Sequence, residues 1–330
     1  MPELPEVESL RRFLDDRCPG RVVERTQLLD FACLKTAAIP LAALHGMVVT
    51  GAVRRGKFLG LALGGAEDPV SSGSGVEGER PAPTDTRAPG SAAGGATQDE
   101  QRALGGVFLV THLARAGWLR WHDVVPAPTT PTRPGRGPLA FRLAFADGAG
   151  FSLTEAGTRK RLAVYVVNDL AEVPGIVTLG PEPLEAAFTE VVLDHILDDA
   201  GNAQIKGVLR DQRTIAGIGN AYSDEILWAA RLSPFAASVR LDADQRHRLY
   251  EAIQTVLTDA IARSSDLVAG ELKAEKKSGL QVHGRAGQPC PVCGTTVATV
   301  DFADTSWQYC PGCQTGGKVL ADRRLSRLLK

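Results

Sequence analysis

The sequence predicts an α+β multidomain protein with an N-terminal β-sandwich behind a first helix, a helical second domain and a small cysteine-bearing hairpin at the end. Three observations support this division. Strand-like runs crowd the first half, apolar residues recur at helical spacing after Pro181, and four cysteines form two close pairs near the end. A chain of 330 residues is long enough for two domains and a third small one. We place their boundaries at 1–175, 181–272 and 281–330.

The first domain begins with a helix and continues with strands. From Glu3 to about Asp15 the apolar residues follow helical spacing, and Pro5 is tolerated in a first turn. Strand-like runs follow at 47–53, 58–63, 107–113, 139–145 and 162–167. Short strands without helices between them favour a β-sandwich or a barrel over a βαβ sheet. We predict the sandwich.

Residues 64–105 interrupt the strands with a different composition. They are mainly Gly, Ser, Pro, Ala and Thr with scattered charge and almost no large apolar side chain. Such a segment cannot bury enough apolar surface to offset the entropy lost on ordering. We therefore predict a disordered surface insertion between two strands. In the second domain, helical patterns cover 185–199, 203–210, 221–230 and 242–263.

Composition narrows the class of protein. No window approaches eighteen uninterrupted apolar residues, and the start of the chain does not resemble a signal peptide. We expect a soluble cytoplasmic protein. The net charge is only −1, but the insertion is acidic, and the last residues include Lys318, Arg323, Arg324, Arg327 and Lys330. A basic module favours a polyanion partner, although a solvated helix face explains such a run equally well.

Two Cys-x-x-Cys pairs near the end predict a metal site. Cys290 and Cys293 form the first pair, Cys310 and Cys313 the second, and sixteen residues lie between them. Four thiolates at this spacing suit one tetrahedral Zn²⁺. Because no spare ligand lies nearby, this zinc would be structural and would order a hairpin. Two disulfides are the alternative, which a cytosolic protein disfavours.

The amino terminus carries a second chemical signal. Pro2 follows Met1, and methionine aminopeptidases accept a small second residue, so the mature chain would begin with a secondary amine. Such an amine can attack a sugar C1′ and form a positively charged iminium, which favours elimination. Many proteins begin with Met-Pro, so the pair alone is a weak signal. The longer string from Pro2 to Glu8, Pro-Glu-Leu-Pro-Glu-Val-Glu, is much more specific.

This string resembles the start of the formamidopyrimidine-DNA glycosylase / endonuclease VIII family. Three other parts of the chain extend the resemblance. The segment Arg54-Arg55-Gly56-Lys57-Phe58 is similar to the family's lysine hairpin, and the segments Asp211-Gln212-Arg213 and Ala216–Tyr222 are similar to its helix–two-turns–helix element. The segments Val282-His283-Gly284-Arg285 and Cys290–Gln314 are similar to its zinc finger. These segments lie at both ends and in the middle of the chain. We therefore identify it as a divergent member of the family.

The resemblance implies catalytic roles for three residues. Pro2 would be the nucleophile that forms a Schiff base with deoxyribose, and Glu3 the general acid/base that opens the sugar and moves protons. Lys57 would contact a phosphate at the lesion, with an ordinary surface lysine as the alternative. Glu6 would be a buried acid near the proline, or simply a helix cap. Glu225 would support the site or be structural.

The resemblance also implies contacts to DNA. Asn220 and Lys206 would contact the DNA backbone. The turn Gly217-Ile218-Gly219 would offer N–H groups to a phosphate oxygen. Arg115 would fill the space that a flipped base leaves, since it stands where the family's His-Leu-x-Met motif has methionine. We expect double-stranded DNA with a damaged base or an abasic site as partner.

Two further positions depart from the family. Thr305 stands where the zinc hairpin has an arginine, five residues before the third cysteine, so Arg285, Lys276 or Lys277 are candidates to replace its charge. The segment 155–161 offers basic side chains but lacks the family's Arg-Arg-Phe wedge. We therefore expect an altered lesion preference.

Two functions of different classes remain open. The first is a bifunctional DNA glycosylase and abasic-site lyase that acts through a Schiff base and β- or β,δ-elimination. The alternative is a non-catalytic or lyase-only protein that binds abasic or distorted DNA. Pro2, Glu3 and Lys57 together favour the enzyme, whereas Thr305 and the missing wedge favour the binder. We expect a monomer that associates with the nucleoid when bound to DNA and uses one structural zinc.

Overall fold

The computed structural model of the protein describes residues 1–65, 106–127, 137–156, 159–265, 267, 269–301 and 305–320. Apart from its first two residues, the insertion predicted at 64–105 lies outside these ranges. The basic residues after Lys318 also lie outside them. No helix in the described part of the chain is long and apolar enough to cross a membrane.

The N-terminal domain is a β-sandwich behind one helix. Its elements are α1 (Leu4–Arg17), β1 (Val23–Leu28), β2 (Val48–Arg55), β3 (Phe58–Gly64), β4 (Val107–His112), β5 (Gly117–His122), β6 (Leu139–Phe145), β7 (Gly150–Glu155) and β8 (Ala163–Val167). One sheet has the order β1-β6-β7-β5 and the other β2-β3-β4-β8, and all neighbours are antiparallel. The predicted sandwich is confirmed.

Three strands escaped the sequence-based prediction. In β1, only Val23 is fully buried, so its sequence Val-Glu-Arg-Thr-Gln-Leu reads as polar. The strands β5 and β7 carry Arg120, Ser152 and Glu155 among their apolar residues. These strands lack the continuous apolar run that marks β3, whose seven residues are all buried.

Helix α1 joins two hydrophobic cores. Val7, Leu10 and Leu14 belong to the core between the sheets. Leu4, at the start of the same helix, is fully buried in the core of the helical domain. The amino terminus is therefore held at the junction of the two domains.

The helical domain and the C-terminal module complete the chain. Their elements are α2 (Pro174–Val177), α3 (Glu190–Ala200), α4 (Ile205–Arg210), α5 (Asn220–Ala229), α6 (Ala243–Ser264), α7 (Leu272–Gly279), β9 (Ala298–Asp301), β10 (Ser306–Tyr309) and α8 (Pro311–Thr315). Helix α3 begins later than the predicted residue 185, because Thr189 is its N-cap and accepts the N–H of Val192. The lysine-rich helix α7 was not predicted, since only Leu272 in it is buried.

A buried arginine joins the sandwich to the segment that leads into the helical domain. The guanidinium of Arg54 donates to Glu8 at 3.0 Å, to Glu182 at 2.7 Å and to the carbonyl of Gly56 at 3.1 Å. Glu182 also accepts the N–H of Gly56. Arg54 is only 2% exposed, so its charge depends on these two carboxylates. The arrangement fixes the turn between β2 and β3, which carries Lys57.

Replacing Arg54 should destabilise the fold strongly. The variant Arg54→Ala leaves the buried Glu182 without a cation and leaves Glu8 paired only with Arg11 and Arg12. Such one-sided removal costs about 3–5 kcal/mol. The matched variant Arg55→Ala breaks a more exposed pair with Glu185 and should cost about 1 kcal/mol or less. Urea unfolding of both proteins measures the difference. Equal losses would show that the buried network does not stabilise the junction.

Candidate active site and metal centre

Glu3 is bound at the N-terminus of helix α5. Its carboxylate accepts the N–H groups of Gly219 at 2.7 Å, Ala221 at 3.0 Å and Tyr222 at 3.2 Å. These groups have no partner within their own helix, and the helix dipole favours a negative charge at this end. The carboxylate therefore fixes the start of the chain against the helical domain. The neighbouring Pro2 is held in a buried position.

Two glycines make this approach possible. Gly217 has a φ of +84°, and an added Cβ would lie 2.7 Å from Leu4. At Gly219 an added Cβ would lie 2.4 Å from the Glu3 carboxyl carbon. The expectation that this turn offers its N–H groups to a phosphate is wrong in this structure. Gly219 donates to Glu3, and Gly217 donates to the side chain of Gln212 at 3.0 Å.

The charges around Glu3 keep it ionised. Burial alone would raise the pKa of Glu3, but the ammonium groups of Lys276 and Lys57 and the N–H groups of α5 outweigh burial and lower the pKa to about 2. At neutral pH this carboxylate is an anion that can stabilise a nearby positive charge.

Glu6 connects three elements beside the amino terminus. It accepts the N–H of Glu3 at 2.8 Å, the hydroxyl of Tyr222 at 2.7 Å and the ammonium of Lys276 at 2.7 Å. The sequence left a buried acid and a helix cap as alternatives for Glu6, and the structure combines both. Lys276 also donates to the carbonyl oxygen of Met1 at 3.2 Å.

Lys57 reaches the same site from the turn between β2 and β3. It is 7% exposed, and its ammonium donates to the carbonyl of Ile218 at 2.8 Å. Burial lowers its pKa to about 8, against the opposing charge of Glu3. Lys57 is therefore part of the cluster around Glu3 and not an ordinary surface lysine.

A cavity of about 610 Å³ opens beside the amino terminus. Met1, Pro2 and Glu6 form part of its wall. The remaining wall is largely basic and aromatic, with Arg115, Trp118, Lys273, Lys276, Lys277, His283 and Arg285 among its residues. Such a cavity can admit a planar group attached to an anionic chain. Arg115 and Arg285 thus line the same cavity as Pro2, and their contacts to DNA stay predictions.

Lys206, like the turn at 217–219, does not make the DNA contact that the sequence predicted. Its side chain is fully buried, and its ammonium donates to Asp224 at 2.5 Å, to Ser223 at 2.8 Å and to the carbonyl of Asn220 at 3.1 Å. A lysine with these internal partners is not at a surface where a phosphate can reach it. Its charge instead balances that of Asp224.

Asn220 connects the two-turn segment to the zinc-finger-like hairpin. Its amide nitrogen donates to the carbonyl of Ser306 at 2.9 Å. Its Oδ1 and the hydroxyl of Thr305 are both buried, and neither has a hydrogen-bond partner among the described residues. Thr305 directly precedes Ser306, whose carbonyl accepts the hydrogen bond from Asn220. Arg285 uses its guanidinium on the carbonyls of Leu280 and Ser278, at 2.5 and 3.1 Å.

Glu225 holds the segment that leads into the C-terminal module. Its carboxylate accepts the N–H groups of Gln281 at 2.8 Å, Val282 at 2.9 Å and His283 at 2.7 Å. Burial raises the pKa of Glu225, although the three N–H groups oppose the shift. The adjacent Asp224 accepts from His283 and from the N–H of Gln308. Of the two roles expected for Glu225, the contacts support the structural one.

The four cysteines form one cluster that fits a metal ion. The sulfurs of Cys290, Cys293, Cys310 and Cys313 all lie within 4.8 Å of one another. Sulfurs about 2.3 Å from a shared tetrahedral ion would be separated by similar distances. Gln314, next to the last cysteine, accepts the N–H of Cys310 at 2.7 Å and donates to the carbonyl of Leu232 at 2.8 Å. The cluster is thereby connected to the helical domain.

Sequence reasoning missed some members of the site. Tyr222 lay inside the quoted motif without a role, although it binds Glu6 through its hydroxyl. Lys276 was named only as a replacement for a missing arginine, yet it pairs with Glu6. Its position could not be inferred because α7 has no clear apolar periodicity. The adjacent acids Asp224 and Glu225 could have indicated these internal contacts from the sequence, because acids on a buried helix need partners.

Comparison with known proteins places this site in a family. Residues 1–163 match the formamidopyrimidine-DNA glycosylase N-terminal domain, and residues 179–269 match the formamidopyrimidine-DNA glycosylase H2TH domain. The chain is 31% identical to the formamidopyrimidine-DNA glycosylase of Deinococcus radiodurans, over 95% of this chain and 97% of that protein. The protein of the same name from Symbiobacterium thermophilum is 33% identical, over 98% and 93% of the two chains. The chain belongs to the formamidopyrimidine-DNA glycosylase family.

Other comparisons agree in fold. The structure of the Thermus thermophilus formamidopyrimidine-DNA glycosylase has a TM-score of 0.69 and 27% identity, and 96% of this chain and 100% of that chain are covered. A complex between the Lactococcus lactis protein and DNA with an abasic site has a TM-score of 0.72 at 24% identity, over 95% and 99%. An uncharacterised formamidopyrimidine-DNA glycosylase-like protein of Mycobacterium tuberculosis is 56% identical, but over only 49% of this chain and 100% of that protein.

A methyl group at position 219 should displace Glu3. The variant Gly219→Ala places its Cβ on the Glu3 carboxyl group, so we expect a loss of about 1–3 kcal/mol in the free energy of unfolding. Gly207→Ala is the matched control. It lies in α4 with nothing within 4 Å of the added Cβ, and should be neutral or gain about 0.5–1 kcal/mol. Equal stability of the two variants would contradict the close approach.

Loss of the metal should unfold only the C-terminal module. We expect metal analysis to find one ion per chain, and a chelator to speed amide hydrogen exchange at 281–320 but not in the sandwich. Cys313→Ser should lose the ion, whereas Cys33→Ser, at a cysteine of the sandwich core, should keep it. Unchanged exchange at 281–320 in the metal-free protein would rule out a structural ion.

Proposed function

We propose that this protein is a bifunctional DNA glycosylase and abasic-site lyase, in which the amine of Pro2 forms a Schiff base with deoxyribose after Met1 is removed. One observation carries the proposal. Pro2 lies at the wall of a cavity of about 610 Å³, directly beside a carboxylate that the fold keeps ionised. An amine nucleophile and an acceptor for its proton are thus adjacent. Family membership supports the activity.

The chemistry follows from the secondary amine. The Pro2 nitrogen attacks C1′, the bond between C1′ and the base breaks, and the departing base takes up a proton. The nitrogen then gives up its proton, the C1′–O4′ bond breaks and O4′ takes up a proton, so that the sugar ring opens. The resulting open-chain iminium carries a positive charge, which acidifies the C2′ proton. Loss of that proton breaks the C3′–O bond and releases the 3′ phosphate group, and water then hydrolyses the iminium to free the amine. In this scheme Glu3 accepts and returns protons.

The surrounding charges suit a reaction on DNA. Glu3 follows Pro2 directly in the chain, and its negative charge stabilises the iminium. Lys57 lies in the same cluster and can turn its ammonium from the Ile218 carbonyl to a phosphate at the lesion. Arg115 and Arg285 line the cavity and can contact a flipped nucleotide or fill the space it leaves. Zinc is the ion we propose for the four-cysteine cluster, where it would hold the hairpin beside Asn220.

The partner we propose is double-stranded DNA with a damaged base or an abasic site. The solved complex of the Lactococcus lactis relative with such DNA supports this partner class. Thr305 favours the alternative of a lyase-only or non-catalytic binder, since its hydroxyl carries no charge where the family has arginine. Losing one charge-assisted contact costs about 1.5–3 kcal/mol, so base excision would weaken before abasic-site cleavage does.

Borohydride trapping tests the proposed nucleophile. Protein whose mature amino terminus is confirmed by mass spectrometry should give a covalent adduct with abasic-site DNA in the presence of sodium borohydride. We expect Pro2→Gly to trap at least about tenfold more slowly, because a primary amine in a more mobile residue is placed less accurately. A chain with a blocked amino terminus should form no adduct.

Two outcomes would separate the enzyme from the binder. No adduct from correctly processed protein that still binds the DNA would favour the non-catalytic alternative. An adduct with abasic DNA, but no release of base from a panel of oxidised, alkylated and crosslinked duplexes, would favour the lyase-only form.

A further inference from the structure

We infer that Lys276 is a positioning residue for the proposed reaction, since its ammonium keeps the mature Pro2 nitrogen unprotonated and therefore nucleophilic. This inference rests on the proposed function and goes beyond it. The residue comes from α7, which lies outside the regions that match the family's two domains.

Lys276 lies close to the reacting nitrogen. Its Nζ is 3.2 Å from the carbonyl oxygen of Met1, and the carbonyl carbon is bonded to the nitrogen of Pro2. Bond lengths place the ammonium within about 5.5 Å of that nitrogen. It is also 2.7 Å from Glu6 and 3.8 Å from Glu3. One cation therefore faces the nitrogen together with two carboxylates.

The two carboxylates alone would favour the wrong state of the amine. Negative charges within a few ångströms stabilise an ammonium, and an ammonium has no lone pair with which to attack C1′. A fixed cation at this distance opposes them. The amine of Met1, one residue before Pro2, shows the direction of these effects: burial lowers its pKa, Lys276 lowers it further, and Glu3 and Glu6 oppose them.

Other charged and titratable groups face the same space from every neighbouring element. They are Glu3 at the N-cap of α1, Glu6 of α1, Lys57 of the turn after β2, Tyr222 of α5, Lys273 and Lys277 of α7, and the cavity residues Arg115, His283 and Arg285. Tyr222 donates to Glu6 and adds no charge while it is protonated. Lys276 is the cation that bonds both Glu6 and the Met1 carbonyl.

The surroundings hold Lys276 in its charged state. Burial would lower its pKa, but the charges of Glu3 and Glu6 outweigh burial and raise the pKa above the ordinary value. The ammonium also lies 4.7 Å from the centre of the Tyr222 ring, a favourable cation–π distance. Its charge is therefore constant over the pH range in which the amine of Pro2 titrates.

The test is the pH dependence of borohydride trapping on saturating abasic-site DNA. Lys276→Gln removes the charge but keeps a hydrogen-bond donor for Glu6, and Lys276→Arg keeps the charge. In Lys276→Gln the amine of Pro2 should hold its proton more tightly. The midpoint of the trapping rate against pH should therefore rise by about 1–2 pH units. Trapping at a fixed pH below the midpoint should then slow by about tenfold or more. Arg should restore a midpoint near that of the wild type.

Lys35→Met provides a control for loss of one positive charge. Lys35 is exposed on the sandwich, so its substitution should leave the midpoint of the trapping rate against pH unchanged. Thermal unfolding of each variant separates a shifted midpoint from a damaged fold. If Lys276→Gln is too unstable to assay, a wild-type midpoint in Lys276→Met would still overturn the inference, and a raised one would support it.

The outcomes distinguish the inference from the proposed function. A wild-type protein that traps no DNA at any pH would refute the proposed function, and the inference with it. Trapping that depends on Pro2 but has the same midpoint in the wild type and in Lys276→Gln would overturn the inference alone. A uniform loss of rate at all pH values would also overturn it, since Lys276 would then only support Glu6.

Discussion

The carboxylate of Glu3 at the N-terminus of α5 is the contact on which the site depends. It joins the first residues of the chain to a helix more than two hundred residues later, through N–H groups that would otherwise lack partners. Leu4 follows immediately and packs into the helical core. The carboxylate beside Pro2 is therefore also the connection that fixes the start of the chain against the helical domain.

Buried charges recur at each junction of this molecule. Arg54 lies between carboxylates of α1 and of the segment before α3, Lys206 pairs with Asp224, and Lys276 pairs with Glu6. Such pairs add little net stability compared with apolar side chains of similar volume, but removing one partner is costly. Their value here is geometric, because each pair allows one arrangement of the elements it connects. The charged residues near the amino terminus are thereby held in one arrangement.

The sequence predicted the architecture better than the details of the site. Apolar runs such as β3 and strong helical periods such as α6 were sufficient to locate elements, whereas β1, β7 and α7 were missed because their polar residues hide the pattern. The cysteine spacing identified a cluster correctly. Lys206 shows the limit of motif reasoning, since a basic residue in a DNA-binding motif can be an internal counter-ion. Burial depends on tertiary neighbours that spacing does not reveal.

The position of the amino terminus has a consequence for how the protein matures. Pro2 is buried and Leu4 is enclosed, whereas Met1 is exposed and lies at the cavity beside Lys276. Met1 already forms part of that wall. Under the proposed mechanism, an affinity tag or an untrimmed methionine would both occupy space at the cavity and block the amine of Pro2. Removal of Met1 by a peptidase would both expose the nitrogen of Pro2 and take Met1 out of the cavity wall.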